Sequence, residues 1–315
     1  MELSPRSSQR GGTMESNRGG PALGSVIVGV DGSGPARWAA LWASDEAARR
    51  RRPLHIVFGS DIDGRVLDLS DEDLERVSTE GRDLLEGTAQ AAQGRHPALS
   101  VTTELSRSGP AMSLRRAASS CGTLVVGHRG PGGFSSLTLG SVGLKVVAEA
   151  RTPVVVVRGS EEAAGHDVVL AGVRDERDLD CVRHAARAAE LRKASLRLLH
   201  VRSILQSVGS AVRELKGLNE GVGHHEQSSL AFVAEQIRDE FPSLTVQADS
   251  EESVSVAGVL VEASRHADLL VIGGRRKPGY VGRTLGRVTH SLVHHAHCPV
   301  ELIPRHGDES RSEAS

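Results

Sequence analysis

The sequence predicts two tandem α/β domains, each a five-stranded parallel sheet flanked by helices, and three observations predict it. Short runs of Val, Ile and Leu alternate with longer Ala, Leu and Arg-rich segments at helical spacing, the pattern of strands joined by crossover helices. The same order of runs occurs twice along 315 residues, a length with room for two ordinary domains. Aromatic residues make up only 2% of the chain, so the core has to be aliphatic, as in a sheet buried on both faces.

In the first repeat the apolar runs fall at residues 25–30, 54–58, 99–104, 123–127 and 153–158, separated by helical stretches at 36–50, 71–93, 110–120 and 138–150. The second repeat places strands at 167–173, 195–201, 244–248, 268–273 and 299–304, and helices at 179–193, 225–240, 254–265 and 284–296. The domains are therefore 25–158 and 167–305, joined by a Gly, Ala and Glu-rich linker at 159–166. Polar tails at 1–24 and 306–315 have the composition of disorder, and Met14 offers an internal start. The repeats match without gaps from Val125 to Val154 against Val271 to Val300. Within that match Gly133-Phe134 meets Gly279-Tyr280, and Leu139-Gly140 meets Leu285-Gly286. A repeat of this length is a domain duplication.

Composition removes several function classes. The net charge is −2, the pI is near 6.7, and both signs are interspersed, so no basic face recruits a phosphate backbone. The scarcity of aromatic residues also removes base-stacking platforms; nucleic acid is not an expected partner. Cys121, Cys181 and Cys298 show no CxxC spacing, which fits a reducing cytoplasm. Neither a signal-peptide core nor an apolar run of membrane-spanning length is present, so no membrane is expected.

The chemistry concentrates after the fourth strand. Gly127, Gly130 and Gly140-Ser141 follow the spacing Gly, two residues, Gly, nine residues, Gly-Ser. Gly127 is read as a sharp turn off the strand, and Gly130, Gly132 and Gly133 as bare backbone that phosphate oxygens can approach. Gly140-Ser141 then opens a helix, where unpaired amides and the dipole favour an anion. In a sheet ordered 3-2-1-4-5 the fourth strand neighbours the first at the switch point where ligands bind. The first strand ends Gly29-Val30-Asp31-Gly32-Ser33, placing a carboxylate across the same crevice. Asp31 is suited to an adenine amino group or ribose hydroxyls; its plainer role is the N-cap of the first helix.

The Gly-Val-Asp-Gly-Ser start, the Gly-x2-Gly-x9-Gly-Ser loop and the closing strand Thr152-Pro153-Val154-Val155-Val156-Val157 resemble the universal stress protein family, in two copies between the tails. The resemblance implies a flavodoxin-like, doubly wound fold, ATP binding in many members, and a cytoplasmic role in surviving stress. Carried over by motif, ATP contacts are Gly29, Val30 and Asp31, then Gly127, His128, Arg129, Gly130, Gly132 and Gly133, and finally Gly140, Ser141 and Val142. Mg2+ on the ATP phosphates is an optional companion, with Ser141 as a candidate partner. The family's last strand commonly pairs two domains, so 153–158 is expected to pair with 299–304 inside one chain, and homo-oligomers are open.

Repeat two departs where the site should be. Gly130 is matched by Arg276, Ser141 by Arg287, and Asp31 by Arg174. An arginine at the Gly130 position fills space that phosphates need, so repeat two is expected to scaffold rather than bind ATP.

Other candidates carry less. His290 and His294 share a helix face at a metal-compatible spacing, but partly exposed helix-end histidines are the plainer reading. Cys298 reads as a small buried residue, and the basic run at 49–52 as a solvated helix end. The loop lacks the Walker lysine and no catalytic carboxylate pair or Ser-His-Asp set can be placed; Lys145 reads as a surface residue. Three functions fit: an ATP-binding regulatory or sensor protein, a slow nucleotide hydrolase or adenylyl-transfer enzyme, and a nucleotide-free interaction module. The first is the leading expectation, with no catalytic residues assigned.

Overall fold

The computed structural model describes residues 22–64, 70–120, 122–128, 139–158, 165–204, 222–274 and 285–304. Repeat one runs β1 (Val26–Gly29), α1 (Gly34–Arg50), β2 (Leu54–Gly59), α2 (Asp71–Arg95), β3 (Val101–Ser106), α3 (Pro110–Ala117), β4 (Thr123–Gly127), α4 (Ser141–Glu149) and β5 (Val154–Val157). Repeat two runs β6 (Val168–Val173), α5 (Leu179–Arg192), β7 (Ser195–Ser203), α6 (Val222–Glu240) and β8 (Val246–Ser253). It closes with α7 (Val256–Ala263), β9 (Leu269–Gly274), α8 (Arg287–His295) and β10 (Val300–Pro304).

Local sequence explains the helix ends. Ser33 caps α1 by accepting from the Ala36 N–H, and Pro35 sits in the first turn where its missing N–H costs nothing. The same helix stops at Arg51, which turns left-handed at φ 52°. A capping box between Ser70 and Asp73 starts α2. Five of the six alanines of α1 (Ala36, Ala39, Ala40, Ala43, Ala47) are buried, letting the helix lie close on the sheet.

All ten strands form one sheet in the order β3-β2-β1-β4-β5-β10-β9-β6-β7-β8. Within each repeat the order is 3-2-1-4-5 and every pairing is parallel, as expected of a doubly wound fold. Successive residues of a strand feed opposite faces. Val26 and Val28 join a core with α1, α2, α5 and α6, while Ile27 joins one with α3, α4, α7 and α8. Burial on both faces is why the strands read as continuous aliphatic runs.

The edge strand β8 is longer than its apolar run, reaching Ser253 rather than residue 248. It pairs with β7 from Val246 to Ser253. Its residues are largely half-buried or exposed, so the backbone ladder extends without an apolar sequence to announce it.

The repeats join where β5 pairs with β10, antiparallel, with Val154, Val155 and Val156 opposite Leu302, Glu301 and Val300. Glu301 is 0% exposed. It accepts from Arg50 Nη2 of repeat one at 3.2 Å and lies 2.8 Å from His184 Nε2 of repeat two. Glu46, also 0% exposed, takes Arg50 at 2.6 Å and Arg192 at 2.5 Å. Burial alone would push the Glu301 carboxyl up; His184 and then Arg50 outweigh it and hold the group well below the ordinary carboxylate range. In Glu46 burial is likewise outweighed, by Arg192 and Arg50. The basic run at 49–52 is therefore not a wholly solvated helix end, because Arg50 turns inward to hold two carboxylates across the junction.

Candidate functional site

Parallel pairing of β1 with β4, through Val26↔Thr123 and Val28↔Val125, brings the ends of both strands to one edge of the sheet. There the chain leaves β1 through buried Val30 and exposed Asp31. The Asp31 carboxylate accepts from the Ser33 N–H at 3.0 Å. Gly32 stands at φ +81°, a conformation that favours glycine. The N-cap of α1 is thus Ser33, and Asp31 shapes the turn before it, with its carboxylate at the protein surface.

Two glycines of the predicted site are crowded by packing, Gly127 by backbone and Gly29 by the end of a leucine side chain. A Cβ on Gly127 would lie 2.7 Å from the Pro35 carbonyl oxygen. Its φ is not positive, so the glycine serves the close approach of α1 to β4 and not a left-handed turn. A Cβ on Gly29 would lie 2.9 Å from Leu114 Cδ1 on α3. The chain crowds both positions before any ligand is considered.

Beyond Gly127 the two ends of the loop are tied together. The Gly140 N–H donates to the His128 carbonyl at 3.1 Å. His128 Nδ1 lies 3.2 Å from the Val157 carbonyl oxygen. Gly140 is the N-cap of α4 and brings no side-chain hydrogen bond to it. Ser141, exposed, and Val142, half-buried, therefore begin a helix whose first amides have no side-chain cap, at the positive end of its dipole. Arg129, Gly130, Gly132 and Gly133 lie outside the described residues, as do Arg276, Gly279 and Tyr280 of repeat two.

Beside the end of β1, between α1 and α2, opens a cavity of about 330 Å³, lined by Val30, Gly32, Ser33, Arg37, Leu84 and Thr88 among others. Of the predicted contacts among the described residues, Val30 lines it. The structure brings Gly29, Val30, Asp31, Gly127, His128, Gly140, Ser141 and Val142 to the same edge of the sheet.

Repeat two is built differently at the same edge. Arg174, in the place of Asp31, donates through Nε to Asp175 at 3.2 Å, and its backbone N–H donates to Asp178 at 2.9 Å. Gly286 is the N-cap of α8, again without a side-chain bond, and exposed Arg287 follows it. Cys298 is buried, and burial first, then Asp268, pushes its thiol up to about 12, so it stays protonated.

The histidines of α8 correct the sequence reading in one respect. His294 is 5% exposed, and its Nδ1 accepts from the Leu139 N–H of repeat one at 2.8 Å. It is a buried cross-repeat contact, not an exposed helix-end residue. Among the described residues no group of three or more His, Cys, Asp or Glu side chains is placed to hold a metal ion. Also among them, no helix is long and apolar enough to cross a membrane. The cross-repeat contact of His294 and the capping role of Ser33 escaped the sequence reading; the Ser-x-Pro step into α1 was the available signal for Ser33.

A sequence profile described as the universal stress protein family matches residues 23–158 and 166–304. Universal stress protein Rv2624c of Mycobacterium tuberculosis is 28% identical over 293 residues, covering 92% of this chain and 100% of that protein. Universal stress protein Rv2005c of the same organism is 29% identical over 295 residues, covering 87% of this chain and 95% of that one. A crystal structure of a universal stress protein from Archaeoglobus fulgidus superposes with a TM-score of 0.68 at 16% identity, over 90% of this chain and 98% of that one. That structural likeness concerns the fold.

Proposed function

The chain belongs to the universal stress protein family in both of its halves, and from that premise we propose that it is a nucleotide-dependent regulatory protein of the cytoplasmic stress response, holding one ATP in repeat one. The observation that carries the reading is the crevice between β1 and β4. There α4 opens on Gly140, a cap with no side chain, and its first amides stand without a side-chain cap at the positive end of the helix. Across the edge stand Asp31 and the cavity beside Val30, a space of base-like size.

The residues present fit the ligand. Ser141 and Val142 would hold phosphate oxygens through backbone amides, with the Ser141 hydroxyl as a further donor or a partner for phosphate-held Mg2+; Gly140, whose own N–H is taken by the His128 carbonyl, would let the phosphates approach the backbone closely. Asp31 would accept from ribose hydroxyls or the adenine amino group, and Val30 would line the base. The glycines of 130–133 and His128 and Arg129 complete the phosphate loop in this reading. Repeat two supports the asymmetry, since Arg174 and Arg287 stand where Asp31 and Ser141 stand in repeat one.

The experiment is to purify the protein, denature it and identify released nucleotide by mass spectrometry, then to titrate ATP by calorimetry into wild type, Asp31→Arg and Gly130→Arg. Wild type is expected to bind one ATP per chain, and both variants to lose it. Absence of released nucleotide together with no measurable ATP affinity would sink the reading. Rapid Mg2+-dependent turnover would replace it with a hydrolase.

A further inference from the structure

We propose that His294, on the last helix of repeat two, is a positioning residue for the phosphate loop of repeat one, and that this contact is how repeat two serves the site. The inference rests on the ATP reading for its purpose and on geometry for its existence.

Leu139 is the last residue before the cap of α4, and it is held in two ways. Its side chain is 3% exposed and lies so close under the helix that a Cβ on Gly143 would come within 2.7 Å of Leu139 Cδ1. The same side chain belongs to the core that contains Leu292, Val293 and Ala296 at the end of α8. Its backbone N–H points across the repeat boundary to His294 Nδ1. The next residue, Gly140, ties the loop shut on His128 and caps α4. Fixing Leu139 therefore fixes where the first amides of α4 are aimed.

The acceptor has to be a bare ring nitrogen, because the partner is a backbone N–H; His294 consequently carries its proton on Nε2. A histidine in the last turn of a helix is ordinarily drawn toward its charged form by the dipole. Here another cation occupies that role. Arg158, buried at the end of β5, donates through Nε to the Ala296 carbonyl at 2.9 Å and through Nη1 to the Val293 carbonyl at 3.0 Å. Repeat one thus caps the helix end with an arginine, and the neutral imidazole beside it is left to accept from the loop.

The arrangement runs one way only. In the gap-free match the counterpart of Leu139 is Leu285, and the counterpart of His294 is Ala148, which has no acceptor to return. Carried to the end of the strands, the counterpart of Arg158 is Pro304, which has no donor. A contact serving only to glue two similar halves together would have no reason to favour one loop. This one is supplied to the loop that keeps Gly130 and Ser141 and withheld from the loop that carries Arg276 and Arg287.

The test uses the full chain with His294→Leu, which removes the acceptor; His294→Asn, whose Oδ1 falls near the position of Nδ1; and His294→Gln, whose amide oxygen falls beyond it. Amide hydrogen exchange over 139–143 is read without nucleotide, and the Kd for ATP by calorimetry. Leu and Gln are expected to speed exchange and weaken ATP by about tenfold, with Asn within about twofold of wild type. If Leu does not fold, the Gln and Asn pair gives the same contrast. Unchanged exchange in Leu and Gln would overturn the proposal, as would equal losses in all three variants that track melting temperature. If wild type binds no ATP but exchange responds as stated, the positioning stands and the ATP reading falls.

Discussion

At the edge of the sheet where the first and fourth strands of each repeat end, repeat one presents Asp31 and Ser141 where repeat two presents Arg174 and Arg287. Away from that edge they share one scaffold: five parallel strands in one order, with the inner strands buried on both faces. Duplication conserved the scaffold, which depends on aliphatic volume, and let the edge diverge, which depends on individual side chains. Divergence is not confined to the edge. Where β5 meets β10, Val155 lies directly opposite Glu301, its own counterpart in the match. The local two-fold between the halves passes through that pair, and there one repeat supplies a methyl-lined surface and the other a buried carboxylate. What distinguishes the repeats is therefore electrostatic, both at the site and at the joint.

The largest effect should come from breaking the joint. Arg50→Met removes the guanidinium shared by Glu46 and Glu301 and leaves both carboxylates buried with a partner missing. A loss of about 3–5 kcal/mol in unfolding free energy is expected, measured by urea denaturation. Adding Glu301→Leu to Arg50→Met should recover part of it, because an unpaired buried charge is then gone.

Next in size is conversion of one site into the other. Ser141→Arg places in repeat one the side chain that repeat two carries at Arg287, and ATP affinity should fall about a hundredfold or more, equivalent to about 3 kcal/mol. Calorimetry on the variant and on Arg287→Ser decides whether the comparison has been drawn at the right residues. The second variant should leave the affinity of repeat one unchanged.

The scaffold was legible in the sequence, and so, through the family resemblance, was the pairing of the two last strands; the buried charges at that joint were not. Runs such as Val154-Val155-Val156-Val157 announce buried strands because both faces need aliphatic volume, and the two-fold repetition gave the strand order a second reading. The placement of the candidate residues was legible: Asp31, Gly127, Gly140 and Ser141 reach one edge of the sheet. Their roles were less so. Gly127 looked like a turn, and its requirement is the Pro35 carbonyl of a helix from elsewhere in the chain. Of the two readings of Asp31, a ligand contact or the cap of α1, the second is removed, because Ser33 is closer in register and takes that place. His294 and Glu301 depend on partners more than a hundred residues away in sequence. A glutamate inside the apolar run Val300-Glu301-Leu302-Ile303 was the one available signal, and a periodicity argument has no means of naming the cations that meet it.

A smaller effect distinguishes the glycines at the strand exits. Gly127→Ala drives a methyl into the Pro35 carbonyl and should cost about 1–3 kcal/mol. In repeat two, a Cβ on Gly274, one residue beyond the counterpart of Gly127, would meet among the described residues the Ile303 carbonyl oxygen at 3.6 Å, ordinary contact, so Gly274→Ala should cost under about 1 kcal/mol. Thermal unfolding of the two variants side by side reads the difference. Equal losses would mean that the approach of α1 to β4 does not set the identity of Gly127.

The gentlest probe of the joint is acid. Glu46 and Glu301 are both held below the ordinary carboxylate value of 4.5. Above pH 4.5 they are ionised whether the chain is folded or not, and their full contribution to stability is present. As pH falls through that value the unfolded chain takes up protons that the folded chain refuses, so stability declines, by at most about 1.4 kcal/mol per pH unit for each carboxylate. The decline continues until the folded carboxylates themselves protonate. Urea denaturation should therefore give a flat stability between pH 7 and pH 5 from these groups and a steepening fall below. Glu301→Gln should be less stable at pH 7 and less sensitive to acid, because one of the two buried carboxylates no longer titrates. An acid slope identical in wild type and Glu301→Gln would place the acid sensitivity in exposed pairs such as Arg183 with Glu240, and would remove the joint as the electrostatic difference between the repeats.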